Sequence, residues 1–184
     1  MSDPKLLENL MQLGAGVQAC LDKRLSMPAL ILLYSAIDIT SWLASGYTSS
    51  TVRERFTSWV DQYLLSAKRL GCTSLELYSA RCGIVHTFTP DSQLANIEGI
   101  RRVAYAWGSA KSVDLQTLIE KTNWTDRLVA VHVEELFEGW RLGALAFVNE
   151  LQENPKRAEM VKLKARKFFD HLAADSIESL HRKE

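Results

Sequence analysis

Residues 28 to 44 constrain this chain more than any other stretch. Leu30, Ile31, Leu32, Leu33, Ile37, Ile39, Trp42 and Leu43 fall on nearly every face of a helix and leave no wide side for water. A helix of that kind must be surrounded, so the fold has to be built around it. Asp38 is its only charged residue. An unpaired carboxylate in such surroundings costs several kcal/mol, so Asp38 calls for a cationic or hydroxyl partner. With Asp38 and several hydroxyls, residues 27 to 43 are also too short to cross a bilayer comfortably.

The rest of the chain is punctuated as helices. Asp3 before Pro4, Ser26 near Pro28 and Asn154 before Pro155 set a side-chain acceptor beside a proline suited to a first helical turn. Thr51 and Glu54 have capping-box spacing, and Val52, Phe56, Trp59, Val60, Tyr63 and Leu64 then recur along one helix face. Gly46 and Gly71 stand where helices should stop. From 125 to 153 the apolar positions Val129, Val133, Leu136, Phe137, Trp140, Ala144, Phe147, Val148 and Leu151 predict one long helix carrying His132. Strand character is confined to residues 100 to 107, where Val103, Tyr105 and Trp107 alternate with smaller or polar residues; residues 115 to 119 fit a returning strand or a short helix. The expected architecture is all-α, a single domain over residues 1–184 with a bundle of five or six helices and at most one small β-hairpin near residues 100–119.

Charge and cysteine content narrow the setting. Lys and Arg number 22 against 22 Asp and Glu, so binding to nucleic acid or membrane by bulk charge is disfavoured and any contact must be local. The three cysteines, Cys20, Cys72 and Cys82, are odd in number and form no C-x-x-C pair, which fits a reducing compartment. The first residues read as an ordinary helix and not a signal peptide, so a cytoplasmic protein without membrane contact is expected. No phosphate-binding glycine loop, G-x-S-x-G elbow or H-E-x-x-H is present. The single Glu-x-x-His, Glu178 to His181, is too little for a di-iron bundle, so neither metal nor cofactor is expected. Asn123-Trp124-Thr125 reads as a helix entry.

The most informative segment runs from Leu75 through Arg81-Cys82-Gly83-Ile84-Val85-His86 to Thr87. An arginine and a histidine separated by four residues, late in a small helical domain, resemble the R-x4-6-H motif of the HEPN superfamily. Residues 29 to 38 look like that family's second helix. The resemblance implies an all-helical domain and a metal-independent endoribonuclease, homodimeric, acting in a toxin–antitoxin or phage-defence setting. It implies Arg81 and His86 as the catalytic pair, with Asp38, Cys82 and Thr87 in support, and products ending in a 2′,3′-cyclic phosphate and a 5′-hydroxyl. Partners would be a second copy, RNA, and a cognate antitoxin or other defence component. Family members commonly carry asparagine or aspartate after the arginine, where this chain has Cys82. That departure favours an alternative, a non-catalytic HEPN-fold dimerisation or nucleotide-binding module. A third reading is a helical small-ligand domain in which the spacing is accidental.

Elementary chemistry suits the pair. His86, with an unperturbed pKa of about 6.5, exchanges protons near neutrality. Arg81 stays charged and can fork onto phosphate oxygens. A packing salt bridge from Arg81 to Asp38 or Glu76 is the structural counter-reading. At about 100° per residue the two side chains leave an ideal helix roughly 140° apart, so convergence is expected to need a bend near Gly83 or closure by a second subunit. Arg101 and Arg102, beside Tyr105 and Trp107, and Lys162 and Arg166 in the basic stretch 155 to 171, are candidate RNA contacts.

Overall fold

A computed structural model describes residues 4–46, 50–87, 89 and 99–167. Among these the chain forms α1 (Pro4–Asp22), α2 (Ser26–Ala44), a helix α3 with a π-helical turn in it, α4 (Ser74–Thr87), β1 (Arg102–Ala106), α5 (Ser112–Lys121), β2 (Leu128–His132), α6 (Val133–Glu153) and α7 (Pro155–Ala165). Helix α3 comprises Val52–Trp59, a π-helical turn Val60–Leu64 and a last turn Leu65–Ala67. Seven helices thus replace the expected five or six, because the segment before β2 folds as a helix of its own.

The helix with no solvent side is central. α2 packs against α1, α3, α4, α6 and α7, and Ala29, Leu33, Tyr34, Ala36, Ile37, Thr40 and Leu43 are fully buried. It is the one described helix long and apolar enough to span a membrane, and half of its apolar window is buried inside the protein itself. The carbonyls at its C-terminal end are met by cations. Lys164 Nζ donates to the Trp42 and Ser45 carbonyls at 2.6 and 2.5 Å, and Arg157 Nη2 to the Ala44 carbonyl at 3.2 Å. Burial, with the nearby charges of Arg55 and Lys167, lowers the Lys164 pKa.

Local signals place the starts of α3 and α7. The Thr51 N–H donates to Glu54 Oε2 at 2.7 Å and the Glu54 N–H to Thr51 Oγ1 at 3.2 Å, a complete capping box. Asn154 Oδ1 accepts from the Arg157 N–H at 3.1 Å, with Pro155 opening α7. α2 is different: Leu25 takes the cap position without a side-chain bond, and Ser26 lies inside the first turn.

The π turn of α3 lies against glycines of α6. A Cβ on Gly143 would come within 3.1 Å of the Leu64 nitrogen and the Tyr63 carbonyl carbon, and one on Gly139 within 3.1 Å of Leu64 Cδ2. Gly139 and Gly143 are one turn apart on the same face, so together they form the groove that admits the widened turn.

Two expectations are corrected in the second half. Residues 128 to 132 are not helical; Leu128-Val-Ala-Val-His forms β2, and α6 begins only at Val133. Val129 and Val131 are apolar and β-branched and are buried together with Ala130, as suits a covered strand. The sheet is not a hairpin either. β1 and β2 pair in parallel, Val103 opposite Val129 and Tyr105 opposite Val131, with α5 as the crossover. The Ala130 N–H is taken by Gln116 Oε1 of α5 at 3.1 Å. Asn123 does not enter a helix but turns the chain at φ +56° after α5. His132 ends β2, with Nδ1 3.1 Å from Glu134 Oε2.

Candidate functional site

α4 opens with a second capping arrangement, in which the Thr73 N–H donates to Glu76 Oε2 at 2.8 Å and the Glu76 N–H to Thr73 Oγ1 at 3.2 Å. Buried Glu76 also accepts from Arg101 Nε at 2.6 Å and Nη2 at 3.2 Å. Arg101 therefore latches the chain before β1 onto α4, a structural task for a residue expected to contact RNA. One turn and a half further on, Arg81 faces α2. Its Nε and Nη2 lie 2.7 and 2.6 Å from the same oxygen, Asp38 Oδ2, and the two side chains are 15% and 22% exposed.

The third Arg81 nitrogen completes the group: Nη1 lies 2.9 Å from His86 Nε2. A guanidinium has donors only, so in a hydrogen bond between the two Nη1 donates and Nε2 accepts. No bend and no second subunit is needed for the contact, since α4 is continuous through the buried Gly83. The helical offset of roughly 140° and 7.5 Å describes the Cα positions. The long Arg81 side chain, held at its root by Asp38, spans the difference, while His86 in the last turn stays exposed to solvent.

Around this trio the environment favours the cation. Partial burial works against a charged Arg81, but the Asp38 hydrogen bond and charge, with the Cys82 thiol, outweigh it and raise its pKa. Half-buried Cys82 also sits within hydrogen-bonding reach of the Tyr78 hydroxyl, one turn earlier on α4, and burial followed by that thiol raises the Tyr78 pKa. Tyr78 packs on Phe56, ring centroids 5.4 Å apart. Tyr78 escaped the sequence reading because an aromatic at that helical spacing reads as core. Thr87 is the last residue of α4, and its side chain lies outside the described residues.

The other candidates are elsewhere. Lys162 Nζ is 3.9 Å from Glu159 on its own helix, and Arg166 is exposed just beyond α7. Arg102 begins β1, where its N–H donates to the Arg127 carbonyl at 2.8 Å, and it lines a cleft with Trp124, Asp126 and Arg127. Among the described residues no three His, Cys, Asp or Glu side chains gather as a metal-ligand set. No family model matches this chain, and neither a curated protein nor a solved structure is significantly similar to it.

Proposed function

We propose that this protein is a metal-independent endoribonuclease of HEPN type, working through Arg81 and His86. The observation that carries the reading is the 2.9 Å approach of the Arg81 guanidinium to the solvent-facing His86 imidazole. Neutral His86 Nε2 takes the proton of an RNA 2′-hydroxyl as the 2′-oxygen attacks the adjacent phosphorus. Arg81 turns Nη1 from the ring to the phosphate oxygens, where negative charge grows. The bond to the 5′-oxygen breaks as that oxygen gains a proton, leaving a 2′,3′-cyclic phosphate and a 5′-hydroxyl. In a homodimer the partner's imidazolium supplies that proton, which divides acid and base between two copies. A toxin–antitoxin or phage-defence setting accords with such an activity, an antitoxin or other defence component acting as its restraint.

The test uses purified protein and total RNA in EDTA. Cleavage should proceed, His86→Ala should lower it by about 10²- to 10⁴-fold, and Arg81→Lys should fail to restore what Arg81→Ala loses, because an ammonium cannot reproduce the fork. Cleavage unaffected by His86→Ala refutes the mechanism. One observation favours the alternative of a non-catalytic HEPN-fold dimerisation or nucleotide-binding module: two of the three Arg81 nitrogens are spent on Asp38, as in a packing salt bridge. Absence of cleavage of any RNA, with dimers in sedimentation, would select it.

A further inference from the structure

The cleft at the N-terminal ends of the two strands has features that packing does not account for. It encloses about 430 Å³ and is lined by Gly99, Ile100, Arg102, Trp124, Asp126 and Arg127, together with Leu128. That volume lies within the range of small-molecule sites. Trp124 is 52% exposed, yet its backbone is fixed. Its N–H donates to the Ile119 carbonyl at 3.0 Å, and its own carbonyl accepts from the Arg127 and Leu128 N–H groups at 2.9 and 2.8 Å. A large flat apolar side chain on a fixed backbone thus faces water, as a stacking platform requires. Asp126 and Arg127, in the same turn, make no side-chain ion pair or hydrogen bond among the described residues.

Contacts of the segment around β1 fix how it runs past α4. Arg101 is bonded to Glu76 early in α4, while Tyr105, whose hydroxyl is 2.5 Å from that of Tyr34, lies near Cys72, before α4 begins. β1 therefore runs opposite to α4.

We propose that this cleft is a base-binding subsite of the RNA substrate that takes an unpaired guanine. Trp124 stacks on the base, the Asp126 carboxylate reads its edge, and Arg127 holds a neighbouring phosphate. The choice of RNA as the polymer rests on the ribonuclease reading. The choice of base rests on donor chemistry: an ionised carboxylate only accepts, and guanine alone presents two adjacent donors, N1–H and the N2 amino group, on one edge. A base can offer that edge and its face together only when unstacked, so the substrate is single-stranded there.

The experiment measures equilibrium binding of the full-length protein by fluorescence anisotropy. The probes are 2′-O-methyl octamers, which lack the attacking hydroxyl, with one guanine or none. The guanine octamer should bind the wild type about 5- to 150-fold more tightly. Trp124→Ala should weaken both by about 5- to 150-fold, with Trp124→Phe retaining most of the affinity. Asp126→Asn should erase the guanine preference and leave the guanine-free octamer unchanged. Arg127→Ala should flatten the salt dependence by about one phosphate contact. Circular dichroism of each variant confirms the fold. Indifference to guanine, or binding independent of Trp124, overturns the proposal. Selective binding without cleavage in EDTA refutes the nuclease and leaves the subsite standing; cleavage with Trp124-independent binding does the reverse.

Discussion

A double-mutant cycle on Asp38 and Arg81 separates what this pair does for the fold from what it does for chemistry. Exposed ion pairs contribute ~0–1 kcal/mol, and breaking a fully buried one by removing a partner costs about 3–5 kcal/mol. At 15% and 22% exposure, with two N–H groups on one oxygen, Arg81–Asp38 belongs between these limits. Arg81→Met should destabilise by roughly 2–3 kcal/mol, because Asp38 then sits half-buried without a cation. Asp38→Asn keeps one acceptor and should cost roughly 1–2 kcal/mol. The double variant should cost less than the sum by about 1.5 kcal/mol, since neither leftover group is charged. Urea denaturation followed by far-UV circular dichroism reads all three values, and at this chain length each kcal/mol corresponds to about 2–4 °C in Tm. Strictly additive losses, within about 0.5 kcal/mol, would show that Asp38 does not anchor Arg81 and would remove the basis for a pre-positioned guanidinium.

Three further outcomes follow from the packing. Gly143→Ala should lower stability by about 1–3 kcal/mol despite the helix preference for alanine, because the new Cβ meets backbone and not a yielding side chain; a stabilised variant in thermal melts would contradict the close approach. Burial and then the hydrogen bond to Glu150 push Tyr63 up to about 12, and burial also raises Tyr34, Tyr78 and Tyr105. A phenol whose pKa is raised by folding contributes stability that is complete below the unfolded value of about 10 and is lost as pH rises toward 12, so absorbance titration at 295 nm should find most tyrosines ionising together with unfolding, and independent titration near 10 would refute it. Cys72, buried and pushed up to about 12, should resist a thiol reagent at pH 8 until the protein is denatured; rapid native labelling of Cys72, mapped by mass spectrometry, would contradict this burial.

The helical part of the fold was legible because its signals are local. The capping box at Thr51 and the all-round apolarity of α2 each follow from a few neighbouring residues. β2 was misread because Val129 and Val133 continue the period of α6, and a short apolar run looks the same in either state until a partner strand is known. That partner, β1, stands on the far side of a crossover helix, and parallel pairing leaves no turn motif to announce it. At the site, Arg81 and His86 were visible from spacing, and Asp38 from its apolar surroundings. Their direct contact was not, because the angle between two Cα vectors does not measure the reach of an arginine. The cleft at Trp124 was hidden for a related reason, since its walls come from segments brought together only by that parallel pairing.

The Gln116 bond to the Ala130 N–H carries a consequence for the behaviour of the molecule in concentrated solution. A sheet of two strands is all edge, and each unpaired main-chain group is a template on which another chain can add. By occupying one such slot on the more apolar strand, a side chain of the crossover helix leaves one group fewer on which a further strand could add edge to edge. The helix that connects the two strands thereby also limits how many strands there can be.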